Sequence, residues 1–390
     1  MVITLIVGNG FDIGLGMKTK YTDFIDMCYL KKERQPGTAL WRLKEHLVKD
    51  KEEAGKDWWK RNWADAEKEF GRLDVPVLGE QSTVADFEEC LADFKNEFQL
   101  FLKKQNDAIR IPNDKVMELY QNMGNCVFGI GERLRLKYKK SFFRRIAQGG
   151  VVDVNVITYN YTDVLDRLLL KREDYKPGNG IVCKLPSGNE IPYRFNEVLH
   201  VHGNFATEII FGVDDKAQII NEKVRDACLT KNYFIKKIVD DFLGNENESR
   251  ARDMIQGSSC VITLGLSFGE TDRSWWELLF NRASTGNLLL VPCIYRNKAN
   301  DDVQPEKTKL YADEFYKMFR CVEEANEDRF PPAEIVKLAY MVMPSESKDP
   351  EGNRVWCDPF NLGWMGRMIG VKDVMKELNL GDGYDDEEEK

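Results

Sequence analysis

Apolar residues follow two patterns along the chain, and their alternation predicts an α/β fold. Short β-branched runs typical of buried strands occur at residues 2–7, 151–158, 260–267 and 287–296. Between these runs, apolar residues recur three and four positions apart, as they do on the buried face of a helix. Strands that alternate with helices predict a parallel sheet covered on both faces.

A strand-poor region separates the first predicted strand from the second. From residue 40 to 147 the spacing of apolar residues is helical, which predicts a large helical insertion after the first strand. We therefore expect a sheet domain made of residues 1–39 and 148–345, the helical insert 40–147, a C-terminal extension 346–380 and an acidic disordered tail 381–390.

Several shorter elements are predicted after the second strand. Residues 180–195 predict a hairpin that turns at residues 187–189. The runs VLHVHG and EIIFGV predict short strands, and helical spacing is present at 216–228 and 231–256. YMVMP predicts an edge strand, and VKDVMKEL predicts a closing helix.

The charge balance argues against a protein that binds nucleic acid without sequence preference. The net charge is −9, of which residues 382–390 carry −5, leaving −4 for the rest of the chain. Such binding needs a basic surface that displaces counterions. No apolar run approaches the length of a membrane span, and the N-terminus lacks a signal-peptide pattern. We expect a cytoplasmic protein without a membrane partner.

Cysteine and histidine usage gives no indication of a metal site. The nine cysteines include no CxxC pair, which argues against both a zinc site and a disulfide framework. The three histidines are too few for a multi-histidine site without distant carboxylates. We expect no metal.

A glycine-containing turn joins the first predicted strand to the first predicted helix. It reads Gly8-Asn9-Gly10-Phe11-Asp12, and such turns let backbone N–H groups converge on a phosphate. The spacing GxGxxxG is one residue longer than the dinucleotide fingerprint. Nucleotide contact and a tight turn without a ligand both remain open.

Two further turns follow predicted strands at the edge where ligands collect in open α/β sheets. Thr158-Tyr159-Asn160 ends one strand, although Asn160 is also a good helix cap. Gly265 and Ser267 follow another, where they would hold a ribose or phosphate or only cap a helix.

The run HVHGN places two of the three histidines close together. Strand alternation would direct His200 and His202 to one face, and Gly203 permits close backbone approach. A catalytic histidine and a buried structural histidine are both consistent with this run.

The order of these motifs resembles the AbiH family of phage abortive-infection proteins. GNGFDIGLGMKTKYTDF, ITYNYTD, HVHGN with IIFGVDD, and GLSFGETDRSWW carry the resemblance, and NWADAEKEFG is similar to the family's tryptophan-acid segment. The same blocks distantly resemble sirtuins, which implies a sirtuin-like Rossmann domain that binds NAD.

The sirtuin resemblance implies roles for individual residues. Gly8, Asn9 and Gly10 would contact the pyrophosphate and Asn160 the nicotinamide ribose. His202 would be the catalytic histidine, and Gly265 and Ser267 would line the adenosine side. The wider set of residues expected at the cofactor is Gly8, Asn9, Gly10, Phe11, Thr158, Tyr159, Gly265 and Ser267.

The chain also departs from sirtuin deacylases, and its glycine loop is not followed by their proline-aspartate-phenylalanine-arginine run but by Tyr21-Thr22-Asp23-Phe24. It lacks their four-cysteine zinc module, and Tyr159 precedes Asn160 where sirtuins have glutamine. These departures argue against protein deacylation and leave cleavage of the nicotinamide–ribose bond.

The leading hypothesis is therefore an antiphage NAD glycohydrolase. Asn160 would orient water or ribose, His202 would accept a proton, and Asp12 would stabilise developing positive charge. The alternative is a nucleotide-binding sensor that signals through a partner without hydrolysis.

We also expect a phage-derived trigger and a homo-oligomer as partners. The helical insert would act as a lid or an oligomer contact, with Asp65 or Glu67 at the edge of the pocket. The opposing expectation is that these helices only cover one face of the sheet.

Overall fold

The structure of the protein is a computed structural model. It describes residues 1–55, 65–79, 81–134, 136–146, 150–169, 181–184, 188, 190–267, 269–284, 288–296, 341–344, 347–348, 354–355 and 362–380. The predicted acidic tail and most of the predicted hairpin turn lie outside these residues.

Within the described residues, seven strands form a mostly parallel sheet. They are β1 (Val2–Val7), β2 (Val152–Thr158), β3 (Ile181–Lys184), β4 (Glu190–His200), β5 (Cys260–Leu264), β6 (Leu289–Arg296) and β7 (Met341–Pro344). Their order is β3-β4-β2-β1-β5-β6-β7, and β3 alone of these seven pairs antiparallel to its neighbour. Two short strands, β8 (Ser347–Lys348) and β9 (Arg354–Val355), form a separate pair.

Helices lie in the described parts of the connections from β1 to β2, β2 to β3, β4 to β5 and β5 to β6, and two more follow β9. Those between β1 and β2 are α1 (Gly10–Leu15), α2 (Tyr21–Met27), α3 (Ala39–Ala54), α4 (Ala66–Arg72), α5 (Val84–Ala108), α6 (Asn113–Arg133) and α7 (Leu136–Ile146). Later ones are α8 (Val164–Leu169), α9 (Glu222–Lys231), α10 (Lys236–Leu243), α11 (Asn247–Gly257), α12 (Arg273–Ser284), α13 (Leu362–Met368) and α14 (Val371–Glu377). The mixed α/β fold expected from the sequence is therefore present.

Several of the shorter predicted elements are confirmed. The predicted hairpin is the antiparallel pair β3–β4, YMVMP contains the edge strand β7, and VKDVMKEL contains α14.

The strand predicted from EIIFGV is wrong. Its backbone groups bond elsewhere: the N–H of Ile210 donates to the carbonyl of His202, and the N–H of Gly212 donates to the carboxylate of Glu67. Only an isolated bridge joins Val213 to Ile235. The helical stretch predicted for 231–256 contains two helices and not one, because Gly244 at φ +63° ends α10 before α11 begins.

The two faces of the sheet bury two separate cores. Alternation along β1 sends Leu5 to one core and Ile6 to the other. The first core is continuous with the helices that follow β1. Phe70 of α4 and Phe94 of α5 contact Phe211, which lies in the chain after β4. These helices therefore share their hydrophobic core with the sheet.

Glycines hold the ends of β1 and β5 together. The strand order reverses between these two strands, which is the position where α/β proteins bind ligands. Gly8 N donates to Leu264 O at 2.8 Å, and Gly10 N donates to Gly265 O at 2.9 Å. A Cβ on Gly10 would lie 2.5 Å from the Gly265 Cα, and Gly265 itself has φ +65°. Close backbone approach thus requires glycine at both positions.

We expect Gly10→Ala to lower the free energy of unfolding by about 3 kcal/mol or more, because the obstructing atoms are backbone and cannot move aside. The measurement is urea denaturation followed by circular dichroism. Gly129→Ala in α6 is the matched control, since a Cβ there meets nothing within 4 Å. The control should be neutral or slightly stabilising. Equal stability of the two variants would contradict the packing role of Gly10.

Candidate functional site

Side chains of the segment Thr158–Asp163 contact three different groups of partners at the carboxyl edge of the sheet. Tyr159 reaches the ring of His202, Tyr161 reaches Glu67, and Thr162 reaches Asp12. The sequence placed this segment at the end of β2, where parallel strands present residues to a ligand. It therefore forms the centre of the candidate site.

Asp12 and Asn160 form a buried polar pair beside β1 and β2. The hydroxyl of Thr162 donates to Asp12 Oδ2 at 2.8 Å. Asp12 and Asn160 are each at most 5% exposed. Within the described part of the chain, Oδ1 of Asp12 and both polar side-chain atoms of Asn160 make no well-formed hydrogen bond. Buried polar atoms left without such bonds are rare in proteins and point to strain or function.

Burial changes the ionisation of Asp12. Desolvation raises the pKa of its carboxyl from 3.8 to about 7, although Thr162, His200 and Asn160 oppose this rise. A carboxyl with this pKa is partly protonated at neutral pH. Such a group is suited to proton transfer, or to stabilising a cation that arrives next to it.

His200 is held by the same segment. Its Nδ1 lies 2.8 Å from the carbonyl of Asn160, and its Nε2 lies 2.8 Å from Asp166 Oδ2. Burial lowers the pKa of His200, but the bonds to Asp166 and Asn160 outweigh burial and raise it above 6.5. Because both ring nitrogens are engaged, His200 orients the segment that carries Asn160.

The glycine turn after β1 has its own internal bonds. The N–H groups of Gly8, Gly10 and Phe11 already donate to backbone carbonyls. The side chain of Phe11 is fully buried in the first core. The side-chain amide of Asn9 donates to the Thr19 carbonyl and accepts from the Thr19 hydroxyl. Contact between this turn and a pyrophosphate stays a prediction.

The remaining residues expected at the cofactor have separate positions. Thr158 is buried, and its Oγ1 accepts from Asn160 N at 3.1 Å. Ser267 is exposed, two residues beyond the Gly10–Gly265 contact. Gly265 is one side of that contact, so the structure gives it a packing role.

His202 lies among a different set of side chains. Strand alternation predicted that His200 and His202 lie on one face. Because β4 ends at His200, His202 lies beyond the strand, and the two histidines contact different partners. The His202 ring packs edge-on against Tyr159 with centroids 4.9 Å apart, and its Nε2 lies 3.1 Å from Asp272 Oδ1. Burial is the main cause that lowers the pKa of His202 below 6.5, and the charge of Lys236 adds to it.

Lys236 is the centre of a buried ionic cluster next to His202. Its Nζ contacts Glu67 Oε2 at 2.8 Å, Asp272 Oδ1 at 2.8 Å and the carbonyl of Thr271 at 3.0 Å. The three protons of the ammonium group thus have three acceptors. The pKa of Lys236 is raised because the attraction of the two acids outweighs burial. Lys236 therefore stays charged.

A cleft of about 290 Å³, which includes space open to solvent, lies over this cluster. Within it, Asp240 is 5% exposed and its Oδ1 has no hydrogen-bond partner among the described residues. Burial, with repulsion from Glu248, raises the pKa of Asp240 to about 6. Polar and aromatic residues that line the cleft are His202, Asp214, Lys236, Asp240, Glu248 and Trp275.

Sequence reasoning missed Lys236 and the bond between Asp166 and His200. Asp272 and Glu67 lie inside the motifs GLSFGETD and NWADAEKEFG, but Lys236 lies in an ordinary amphipathic stretch that gives no signal. Among the residues that the structure describes, no group of three or more His, Cys, Asp or Glu is arranged to hold a metal ion. Over the same residues, no helix combines the length and apolarity needed to cross a membrane.

Comparison with known proteins gives one family. The family model described as bacteriophage abortive infection AbiH matches residues 4–291, which is about three quarters of the chain. The match includes the site residues from Gly8 to Asp272. The search of curated proteins gave no match.

We expect Asp12→Asn to stabilise the protein at high pH. The pKa of Asp12 is higher in the folded chain than in the unfolded chain, so the parent loses stability as pH rises from about 4 to 7. The asparagine variant lacks this loss and should be more stable by about 2–4 kcal/mol near pH 8. Urea denaturation at several pH values measures the difference.

Asp26→Asn is the control for this experiment, because Asp26 pairs with Lys51 at 2.7 Å in a more exposed setting. Its effect should be about 1 kcal/mol or less. If Asp12→Asn shows no gain between low and high pH, the carboxyl is not held in its neutral form.

Proposed function

The chain belongs to the bacteriophage abortive infection AbiH family, and we propose on that premise that it is an antiphage NAD glycohydrolase. In this proposal the sheet and its βα turns are a sirtuin-like Rossmann domain that holds NAD at the carboxyl edge. The antiphage role follows from the family, and the reaction rests on the chemistry of the site.

The observation that carries the proposal is the Asp12–Asn160 pair at the carboxyl edge of β1 and β2, next to the switch point of the sheet. Asn160 offers an amide donor and a carbonyl acceptor that make no well-formed hydrogen bond within the described residues. Together these groups match a ribose hydroxyl, which both donates and accepts. A carboxyl beside the amide suits the positive charge on the ring of NAD or on the ribose that forms when nicotinamide leaves.

The reaction breaks the bond between the nicotinamide nitrogen and the ribose carbon. The electron pair of that bond leaves with nicotinamide, water adds to the ribose carbon, and a base takes the proton that water loses. Ionised Asp12 would stabilise the cationic ribose, and Asn160 would hold the ribose or the water. Neutral His202, whose pKa is lowered, would accept the proton.

A dinucleotide requires more space than the cleft provides. Pockets for drug-sized ligands measure roughly 300–1,000 Å³, whereas the space inside this cleft that can hold the centre of a water molecule is only about 10 Å³. NAD binding would therefore require residues at the carboxyl edge of the sheet to move. This requirement suits an enzyme that stays inactive until a phage-derived trigger is present.

We expect the full chain to release nicotinamide from NAD, and Asn160→Ala and His202→Ala to reduce release at least about 100-fold, as loss of a general base or a positioning group does. Liquid chromatography of the reaction measures release, with and without lysate from phage-infected cells. Asn155→Ala, in the strand that precedes Asn160, and His46→Ala, on α3, are matched controls that should retain activity.

Two outcomes would contradict this proposal. Full activity of both variants would remove the site assignment. Binding of NAD by calorimetry, without nicotinamide release in either condition, would favour the nucleotide-binding sensor over the enzyme.

The proposal also predicts the pH profile. If ionised Asp12 is required, kcat/KM should rise with pH and level off above about 7, because this ratio reports ionisation in the free enzyme. His200 acts on Asp12 through its charge, and its pKa is raised by Asp166 against the effect of burial, so its ionisation contributes to the same profile. In Asp12→Asn the rise near 7 should disappear. A profile that is unchanged in this variant would exclude Asp12 from the chemistry.

A further inference from the structure

Four buried side chains connect the helical segment after β1 to His202. Glu67 Oε2 lies 2.8 Å from Lys236 Nζ, Lys236 Nζ lies 2.8 Å from Asp272 Oδ1, and that same oxygen lies 3.1 Å from His202 Nε2. The side chains of these four residues are between 7% and 18% exposed. Water therefore screens the charges weakly, and each group acts strongly on the next.

We propose that Asp272 is the positioning residue of His202 and that Glu67 acts on His202 through Lys236 and Asp272. The inference rests on the proposed role of His202 as the base. It assigns to Glu67, which the helical segment contributes, an effect on a histidine that it does not contact.

The direction of the effect follows from the shared oxygen. Asp272 Oδ1 lies near both the lysine ammonium and His202 Nε2. The Nε2 atom makes no well-formed hydrogen bond within the described residues, but the carboxylate charge 3.1 Å away still favours the tautomer of His202 with a proton on Nε2. That tautomer leaves Nδ1 as the basic nitrogen. Burial raises the pKa of the Glu67 carboxyl to about 7, and the charge of Lys236 opposes that rise. In its ionised form Glu67 attracts Lys236 from the other side and thereby offsets part of the lysine's positive charge at the ring.

Removing Glu67 would therefore expose His202 to the full charge of Lys236. The lysine would also bind Asp272 more closely and weaken its hold on the ring. Other charged or titratable groups that face His202 are Asp214, Asp240 and Glu248 in the cleft and Tyr159 at the end of β2. None of these is altered in the variants below, so their contribution is constant.

The test is NMR of the three histidines in the full chain without NAD. Proton–carbon spectra over about pH 4 to 9 give each pKa, and nitrogen spectra at high pH give each tautomer. His46→Gln and His202→Gln assign the signals. We expect Asp272→Asn to lower the pKa of His202 by about 1 or more and to mix its tautomers. Glu67→Gln should lower this pKa by a smaller amount.

Asp93→Asn is the matched control. Asp93 also lies in the helical region and pairs with a cation, Arg34, but it has no link to His202. It should change stability and leave the His202 signals unchanged. Glu67→Gln replaces a carboxylate by a group of the same shape that can still accept from Gly212 N and Tyr161, so it is the variant that decides the result if Asp272→Asn does not fold.

An unchanged pKa and tautomer of His202 in folded Glu67→Gln, or an equal change in Asp93→Asn, would overturn the proposal. The NMR result is independent of turnover. Failure of NAD cleavage with a shifted His202 pKa would thus refute the proposed function and leave this connection in place. If the chain is active, Glu67→Gln should lower kcat with little change in KM, because Glu67 acts on the base and not on binding.

Discussion

The ammonium group of Lys236 is the interaction on which the candidate site depends. A buried lysine charge is stable only when acceptors surround it, and Lys236 has Glu67, Asp272 and the Thr271 carbonyl. These acceptors come from two separate parts of the chain, so keeping the charge paired holds the segment that begins α4 against the turn after β5. Removing one partner of such a cluster commonly lowers the free energy of unfolding by roughly 3–5 kcal/mol, because the other charge stays buried.

This constraint places His202 and the segment after β2 in one arrangement. Asp272, fixed by Lys236, lies beside the His202 ring, and Glu67, fixed by the same lysine, lies 3.4 Å from the Tyr161 hydroxyl. Tyr161 is the neighbour of Asn160. The helices between β1 and β2 are thus more than a cover for one sheet face. They contribute a charge to the residues that flank both candidate catalytic groups, which is the physical requirement for any control by this region.

The sequence predicted the parts of the fold that depend on local pattern. The β-branched runs identified β1, β2, β5 and β6, and the order of motifs located Asp12 and Asn160 at one sheet edge. Non-local bonding decided the rest. EIIFGV has the composition of a strand, but Glu67, 145 residues away in sequence, takes the N–H of Gly212. Lys236 reads as an ordinary helix residue, because its burial depends on acids that are distant in sequence.

Stability and the proposed ligand binding would place opposite demands on the carboxyl edge. The Gly8 and Gly10 hydrogen bonds join the ends of β1 and β5, and at the same edge Asn160 and Asp12 Oδ1 are buried without well-formed hydrogen bonds among the described residues. Each buried polar group left in this state costs about 1–3 kcal/mol. A ligand that bonds to these groups would recover that free energy and offset the cost of the movement that admits it. A ligand shifts a conformational equilibrium only by the difference between its affinities for the two states. Bonds from the ligand to the poorly bonded amide and carboxyl would supply such a difference in favour of the state in which these groups can be reached.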